Sequence, residues 1–186
     1  KNVASGLSEE FDPMLKKSFL LLIQNSQRII EAVRKNKFDD YSNINQTRFM
    51  ITRYTDFCKR LMAKYNQHDD AMIFKYTVIY VLEKMSNQYA YIYKYGKEAK
   101  PKEFSSECIK YFEEANELVE MFFHAFYSKN KSKVKEINIK KDKLLFDKLY
   151  KIRNKTTKDD LVVIHYLSDI IRKCVDFTGP FFGIVN

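Results

Sequence analysis

The chain has 186 residues, 45% hydrophobic and 31% charged, with fifteen Phe, thirteen Tyr and a net charge of +9. So much apolar and aromatic material excludes a disordered polymer, and no apolar run reaches the roughly 18 residues that a transmembrane helix needs. Charges of both signs describe a solvated surface better than a polycation. Cys58, Cys108 and Cys174 are far apart, which indicates neither a disulfide framework nor a zinc finger and favours a reduced, cytoplasmic compartment. Lys1 opens the chain without Met or a signal-peptide pattern. Residues 1–11 are therefore read as a linker from a segment removed upstream.

Helix breakers organise the rest. Only four Gly and three Pro occur, none of them between Met14 and Tyr95 or between Lys102 and Thr178. Both residues interrupt helices strongly. The chain thus reads as two helical stretches joined at Gly96–Pro101, with Gly179, Pro180 and Gly183 closing the end. In the first stretch, Asp12 as N-cap and Pro13 at the first helical position start a helix. Leu15, Phe19, Leu22, Ile23, Ile30 and Val33 then recur at helical spacing. Lys35-Asn36-Lys37 is a turn, and Asp39 or Asp40 caps a second helix with Ile44, Ile51, Tyr54, Cys58 and Leu61 on one side. A polar break at residues 66–70 ends in Asp69-Asp70. The third helix, from about Ala71 to Tyr95, is apolar on nearly every face (Ile73, Tyr76, Val78, Ile79, Leu82, Met85, Tyr89, Ile92) and belongs at the centre.

The order repeats after Pro101. Phe104, Cys108, Phe112, Ala115, Leu118, Val119, Phe122 and Phe126 mark a fourth helix, and Lys129-Asn130-Lys131 echoes the earlier turn. Val134, Ile137, Leu144, Leu145, Leu149 and Ile152 mark a fifth, and the polar stretch 154–160 ends in Asp159-Asp160. The sixth is apolar again (Val162, Val163, Ile164, Leu167, Ile170, Ile171, Val175). The expected fold is all-α: two tandem three-helix bundles, six helices in all, related by internal duplication, over residues 12–97 and 98–186. A single elongated six-helix bundle or a helical-hairpin solenoid would share the pattern.

No nucleophile constellation, HExxH motif or Gly-rich phosphate loop is present. His68, His124 and His165 are isolated and read as structural, so no enzyme activity is expected. Residues 129–158 hold twelve Lys or Arg against three acids, whereas residues 103–120 hold six Glu against one Lys. Contact with nucleic acid is one explanation. Neighbouring antiparallel helices that neutralise each other is the favoured one. Tyr76, Tyr80, Tyr89, Tyr91, Tyr93 and Tyr95 are expected to pack with rings inside and hydroxyls at the rim.

The third helices carry a further pattern. Leu82-Glu83-Lys84-Met85-Ser86-Asn87 resembles the Leu-Glu-Arg-Ile-Gly-Asp signature of the PhoU phosphate-uptake regulators. Leu167-Ser168-Asp169-Ile170-Ile171-Arg172 takes the same place in the second half. Residues 142–149, with Asp142 and Asp147, answer the family's acid-rich second-helix element, where the first half offers only Asn45 to Asp56. The run from Gly6 to Leu15 resembles the entry to the PhoU-like portion of archaeal regulators with an AbrB-like DNA-binding segment upstream.

The resemblance implies a non-enzymatic regulator of phosphate uptake or signalling that docks on a transporter ATPase or a sensor kinase. It further implies a homodimer, with no membrane insertion and with DNA bound only through the upstream segment. Family members bind iron or zinc through paired carboxylates on the second and third helices. Here Glu83, Asp142, Asp147 and Asp169 are the candidate ligands. Asn87, Ser168 and Arg172 stand at the other signature positions, where Asn adds no charge and Arg repels a cation. Asp142 and Asp147, five apart, share an α-helical face poorly, so no family-type metal site, and no cofactor, is expected. The alternatives are a metal- or nucleic-acid-binding helical domain and a structural dimerisation bundle.

Overall fold

A computed structural model describes residues 9–65 and 71–185. They form α1 (Phe11–Lys35), α2 (Tyr41–Tyr65), α3 (Met72–Ala99), α4 (Ser106–Ser128) and α5 (Lys131–Asp142). A π-helical segment (Lys143–Lys148), α6 (Leu149–Ile152) and a 3₁₀ turn (Arg153–Lys155) continue α5, and α7 (Lys158–Asp176) and α8 (Thr178–Val185) complete the chain. No strand occurs among the described residues, so the fold is all-helical. The breaks with Asp69-Asp70 and His68 lie outside them.

Contacts fall into two groups. α1 packs on α2 and α3, and α2 on α3; α4 packs on α5 and α7, and α5 on α7. The groups meet where α1 lies against α4 and α3 against α7, and α8 covers α3 and α7. Their buried side chains form one cluster that runs through both halves. Phe19 of α1 is its hub, with ring centroids 5.6–6.0 Å from Phe122, Phe126 and Phe177. Phe177 stacks on Phe122 at 4.1 Å and 13°. Each such pair adds about 0.5–1.5 kcal/mol beyond the area it buries.

The ends of the helices correct several expectations. α1 begins at Phe11, so Asp12 and Pro13 both lie in its first turn rather than at the cap; the N–H that Pro13 lacks is one a first turn leaves unpaired in any case. Asn36 takes the left-handed conformation (φ 48°), and its N–H and that of Lys37 close the helix on Val33 and Ala32. The second turn closes with the same pair of backbone bonds, shifted by one residue: Lys129 is the left-handed residue (φ 52°), and Asn130 caps α5 by accepting from Ser132 N–H. α8 runs through Gly179, Pro180 and Gly183, which had been expected only to close the chain. Pro180 cannot donate to the carbonyl of Asp176, so the helical ladder breaks at Phe177 and restarts with Pro180 in the tolerated first turn.

Gly96 likewise does not break α3, which continues to Ala99; the turn comes at Lys100, with φ 48°. Gly96 is there because Phe38 lies against it. A Cβ at Gly96 would stand 2.2 Å from the ring. That ring is itself held edge-on by Tyr93 at 5.3 Å and Phe104 at 6.3 Å. Beside it, the Asn36 amide donates to the carbonyls of Pro101 (2.8 Å) and Lys102 (3.0 Å), fixing the connector between the halves.

α3 is not apolar all round, since Lys94, Lys97 and Glu98 keep part of its C-terminal half at the surface. Ile73 is 68% exposed, and Tyr76, Tyr80 and Tyr91 are about half exposed. Tyr89 and Tyr93 are buried and use their hydroxyls inside, where Tyr89 donates to Asn116 (2.7 Å) and Tyr93 accepts from Asp40 N–H (2.7 Å).

One carboxylate ties two helix starts together. Asp160 is fully buried. It accepts from Thr157 N–H (2.7 Å), completing a capping box on α7, and from Ser105 N–H (3.0 Å) at the cap of α4. Asp160→Ala should cost about 2–4 kcal/mol in chemical denaturation, and a loss under about 1 kcal/mol would refute this role. Gly96→Ala should destabilise by about 1–3 kcal/mol through its clash with Phe38. Gly179→Ala, where nothing lies within 4 Å, should gain up to about 1 kcal/mol of helix propensity.

Candidate docking surface

The signature positions on α3 and α7 come first. Glu83 is paired with Lys59 at 2.7 Å, and Lys59 also meets Asp56 at 3.1 Å. Burial disfavours the Lys59 ammonium, but the hydrogen bonds to Glu83 and Asp56 outweigh it and its pKa rises. Asn87 accepts from Arg48 at 3.1 Å. Asp169 accepts from Gln88 at 2.5 Å and from Lys173 at 3.2 Å. Ser168 is buried against the hydroxyl of Tyr111 at 3.2 Å, and Arg172 is exposed. At Glu83, Asn87 and Asp169, a cation or amide of the chain itself stands where a metal would need further carboxylates.

Asp142 and Asp147 lie on the other side of the second group, both exposed. The π segment narrows the angle between positions five apart, yet Asp142 is taken by Lys141 at 2.5 Å. The four candidate ligands are thus not brought together, and no group of three metal-ligating side chains occurs among the described residues. His124 and His165 are exposed. Cys58, Cys108 and Cys174 are buried; burial is the main cause that raises each thiol's pKa, that of Cys58 to about 12.

The charged blocks of α4 and α5 do pair across the helices. Glu114 meets Lys148 at 2.7 Å, and Glu117 meets Lys140. Glu113 instead reaches Arg34 of α1 at 2.6 Å. This neutralisation stops short of the far end of the basic stretch. Lys143, Lys151, Lys155 and Lys158 are exposed, and none forms an ion pair among the described residues.

At that end the surface is also apolar. Leu145, Leu149, Tyr150, Ile152, Leu161 and Ile164 line a hollow of about 300 Å³ between the α5–α6 rod and α7. Phe146 (66% exposed) and Tyr150 (79%) stand beside it, four apart. The π segment falls at this point, and such insertions recur where a helix must present side chains for a function. Periodicity alone marks Leu145, Leu149 and Ile152 as core, and Leu145 and Ile152 are indeed buried; it does not show the hollow that exposed Tyr150 and Leu161 leave beside them.

Comparison adds no relative. No protein-family model, curated protein or solved structure matches the chain. The likeness to PhoU therefore rests on the residues quoted above, and the surface has to be judged on its own chemistry. No helix among the described residues is long and apolar enough to cross a membrane.

Lys59 provides a direct test of the seam. Lys59→Glu would set a third carboxylate beside Asp56 and Glu83. That variant should gain thermal stability in about 1 mM zinc or manganese, as a ligand that binds only the folded state must give. The unaltered chain should gain none, and a matching rise in it would show that the acids bind metal despite Lys59. All three thiols should resist a thiol reagent at neutral pH until the chain is unfolded, since the reactive thiolate is suppressed by burial.

Proposed function

We propose that the chain is a non-enzymatic regulatory module that works through protein–protein contacts, with the α5–α6 face as the surface that a partner occupies. The supporting observation is the apolar hollow beside exposed Phe146 and Tyr150, in a segment whose outer lysines form no ion pair among the described residues. An acidic amphipathic helix with one large apolar side chain fits both features. The anchor would fill the hollow and displace its water, and flanking acids would meet Lys143, Lys151, Lys155 and Lys158. Two copies of this face would bring like charges together, so a homodimer would use another part of the surface.

In the phosphate-signalling form that the PhoU resemblance implies, the partner is a transporter ATPase or a sensor kinase. DNA binding then belongs to an AbrB-like segment upstream. The loss of signature acids at Asn87, Ser168 and Arg172, with Lys59 on Glu83 and Lys173 on Asp169, favours a scaffold that works without the family's metals.

Calorimetry of the chain against a phosphate-transporter ATPase subunit, and separately against a phosphate sensor kinase from the same source, tests both levels. A micromolar complex with one of them is expected. Phe146→Ser with Tyr150→Ser should weaken it at least about tenfold, or ~1.4 kcal/mol, without changing helix content. Binding that ignores this double change would place the interface elsewhere. Failure with both partners would remove the phosphate-signalling form. A salt-sensitive gel shift of DNA by this chain alone would favour the nucleic-acid alternative.

A further inference from the structure

α1 and α2 lie antiparallel, side by side. Near the turn that joins them the Asn25 amide donates to the Ile44 carbonyl (3.4 Å), and farther along the Cys58 thiol meets the Phe11 carbonyl (3.8 Å). Helical spacing gives each an outward stripe. Lys17, Leu20, Gln24 and Arg28 form that of α1, and Gln46, Phe49 and Arg53 that of α2; all seven are exposed. The antiparallel register sets Lys17 beside Arg53, Leu20 beside Phe49 and Gln24 beside Gln46. Lys17 accordingly stands over the ring of Tyr54, the next residue of α2, at 5.0 Å.

This face is apolar in the middle, where Leu20 and Phe49 are each about half exposed. Cations surround that centre. Arg48 lies over the Phe49 ring at 4.4 Å, and neither Arg28 nor Arg53 forms an ion pair among the described residues. Neither residues 13–30 nor residues 41–55 include an Asp or a Glu. The acids next in sequence, Glu31 and Asp56, are held by Arg34 and Lys59. The face is also shallow, since its hollow of about 450 Å³ is lined by residues of α2 alone, Phe49, Arg53 and Tyr54 among them.

We infer that the α1–α2 face rests on an anionic lipid surface. Leu20 and Phe49 enter the headgroup boundary, and Lys17, Arg28, Arg48 and Arg53 meet the lipid anions. Cations set beside apolar side chains divide naturally between headgroups and acyl chains. A partner helix would need a groove between elements for its anchor, which a dimple on one helix does not offer. A second copy would set cation against cation. The chain then lies on the membrane without spanning it, in keeping with the lack of a membrane-crossing helix among the described residues. The face belongs to other helices than the α5–α6 surface, so either can fail without the other.

The probe is a phosphatidylcholine vesicle with about 30% phosphatidylserine, sedimented with the full chain at about 0.1 M salt, with pure phosphatidylcholine as the control. The chain should sediment with the anionic vesicles and stay in solution with the neutral ones. Salt at about 0.5 M should release it, since screening then acts within about 4 Å. Lys17→Glu with Arg53→Glu should weaken partitioning at least about tenfold. Leu20→Ser with Phe49→Ser should weaken it at least about threefold, which charge attraction alone would not require. Both pairs are exposed, so helix content should stay intact. Phe146→Ser with Tyr150→Ser should leave partitioning unchanged. The inference is overturned by no partitioning, by equal partitioning to neutral vesicles, or by indifference to the α1–α2 variants. It is also overturned if a single-stranded oligonucleotide binds the chain more tightly than the vesicles and loses that binding to the same charge reversals, because the face would then belong to nucleic acid.

Discussion

The Asp160 carboxyl lies at a place without access to water, and the starts of α4 and α7 are arranged around it. Removing a carboxylate from solvent costs several kcal/mol. Two backbone N–H groups offset it, one from Thr157 and one from Ser105, together with the positive ends of α7 and α4. Because the donors belong to different helices, the carboxylate also fixes how those helices start relative to each other. The thiol of Cys108 lies against the same group, whose charge adds to burial in keeping it protonated. The neighbouring Asp159 extends the tie to α3 by accepting from the Tyr95 hydroxyl.

The first half is tied to this point through its turns as well as its helices. Asn36 grips the connector carbonyls of Pro101 and Lys102, and Phe38 closes on Gly96, Tyr93 and Phe104. At the other end Phe19 enters the aromatic cluster of Phe122, Phe126 and Phe177. The halves are therefore clamped at both ends, by polar bonds at one and by rings at the other. Disturbance of either clamp is felt across the shared core, since the buried cluster has no seam between them. The outer rod of α5, the π segment and α6 stands apart from both clamps, which leaves it free to carry a surface.

Much of this could be read from residue order. The apolar spacing located six helical segments, and the Glu-rich and Lys-rich blocks announced that α4 and α5 would be neighbours. What escaped was always a long-range contact. Gly96 looks like a breaker because the helical cost of Gly is local, whereas the Phe38 ring that requires it comes 58 positions earlier. Asn36 is recognisable as a turn residue, but its second role depends on carbonyls across the molecule. Glu83 is visible as a surviving acid, yet the ammonium that occupies its metal position belongs to Lys59 on another helix. The hollow beside Phe146 was hidden for the opposite reason. Its lining has the spacing of a core, and only Tyr150 and Leu161 at its rim are exposed.

The π segment has a consequence for how such a surface can change. Its six residues hold one more than an α-helical turn accommodates, so it works as an offset between two parts of one rod. Val134 and Ile137 lie before it, while the stretch with Phe146 and Tyr150 lies in and after it. A chain one residue shorter there would resume ordinary helical spacing and turn the later part by about 100° about the axis. The outward aim of the lysines and aromatic rings is thus set by a single insertion, together with the packing of Leu144, Leu145 and Ile152. Length variation at this one spot is a route by which the same scaffold could face a different partner, at the cost of repacking Leu149 and Ile152.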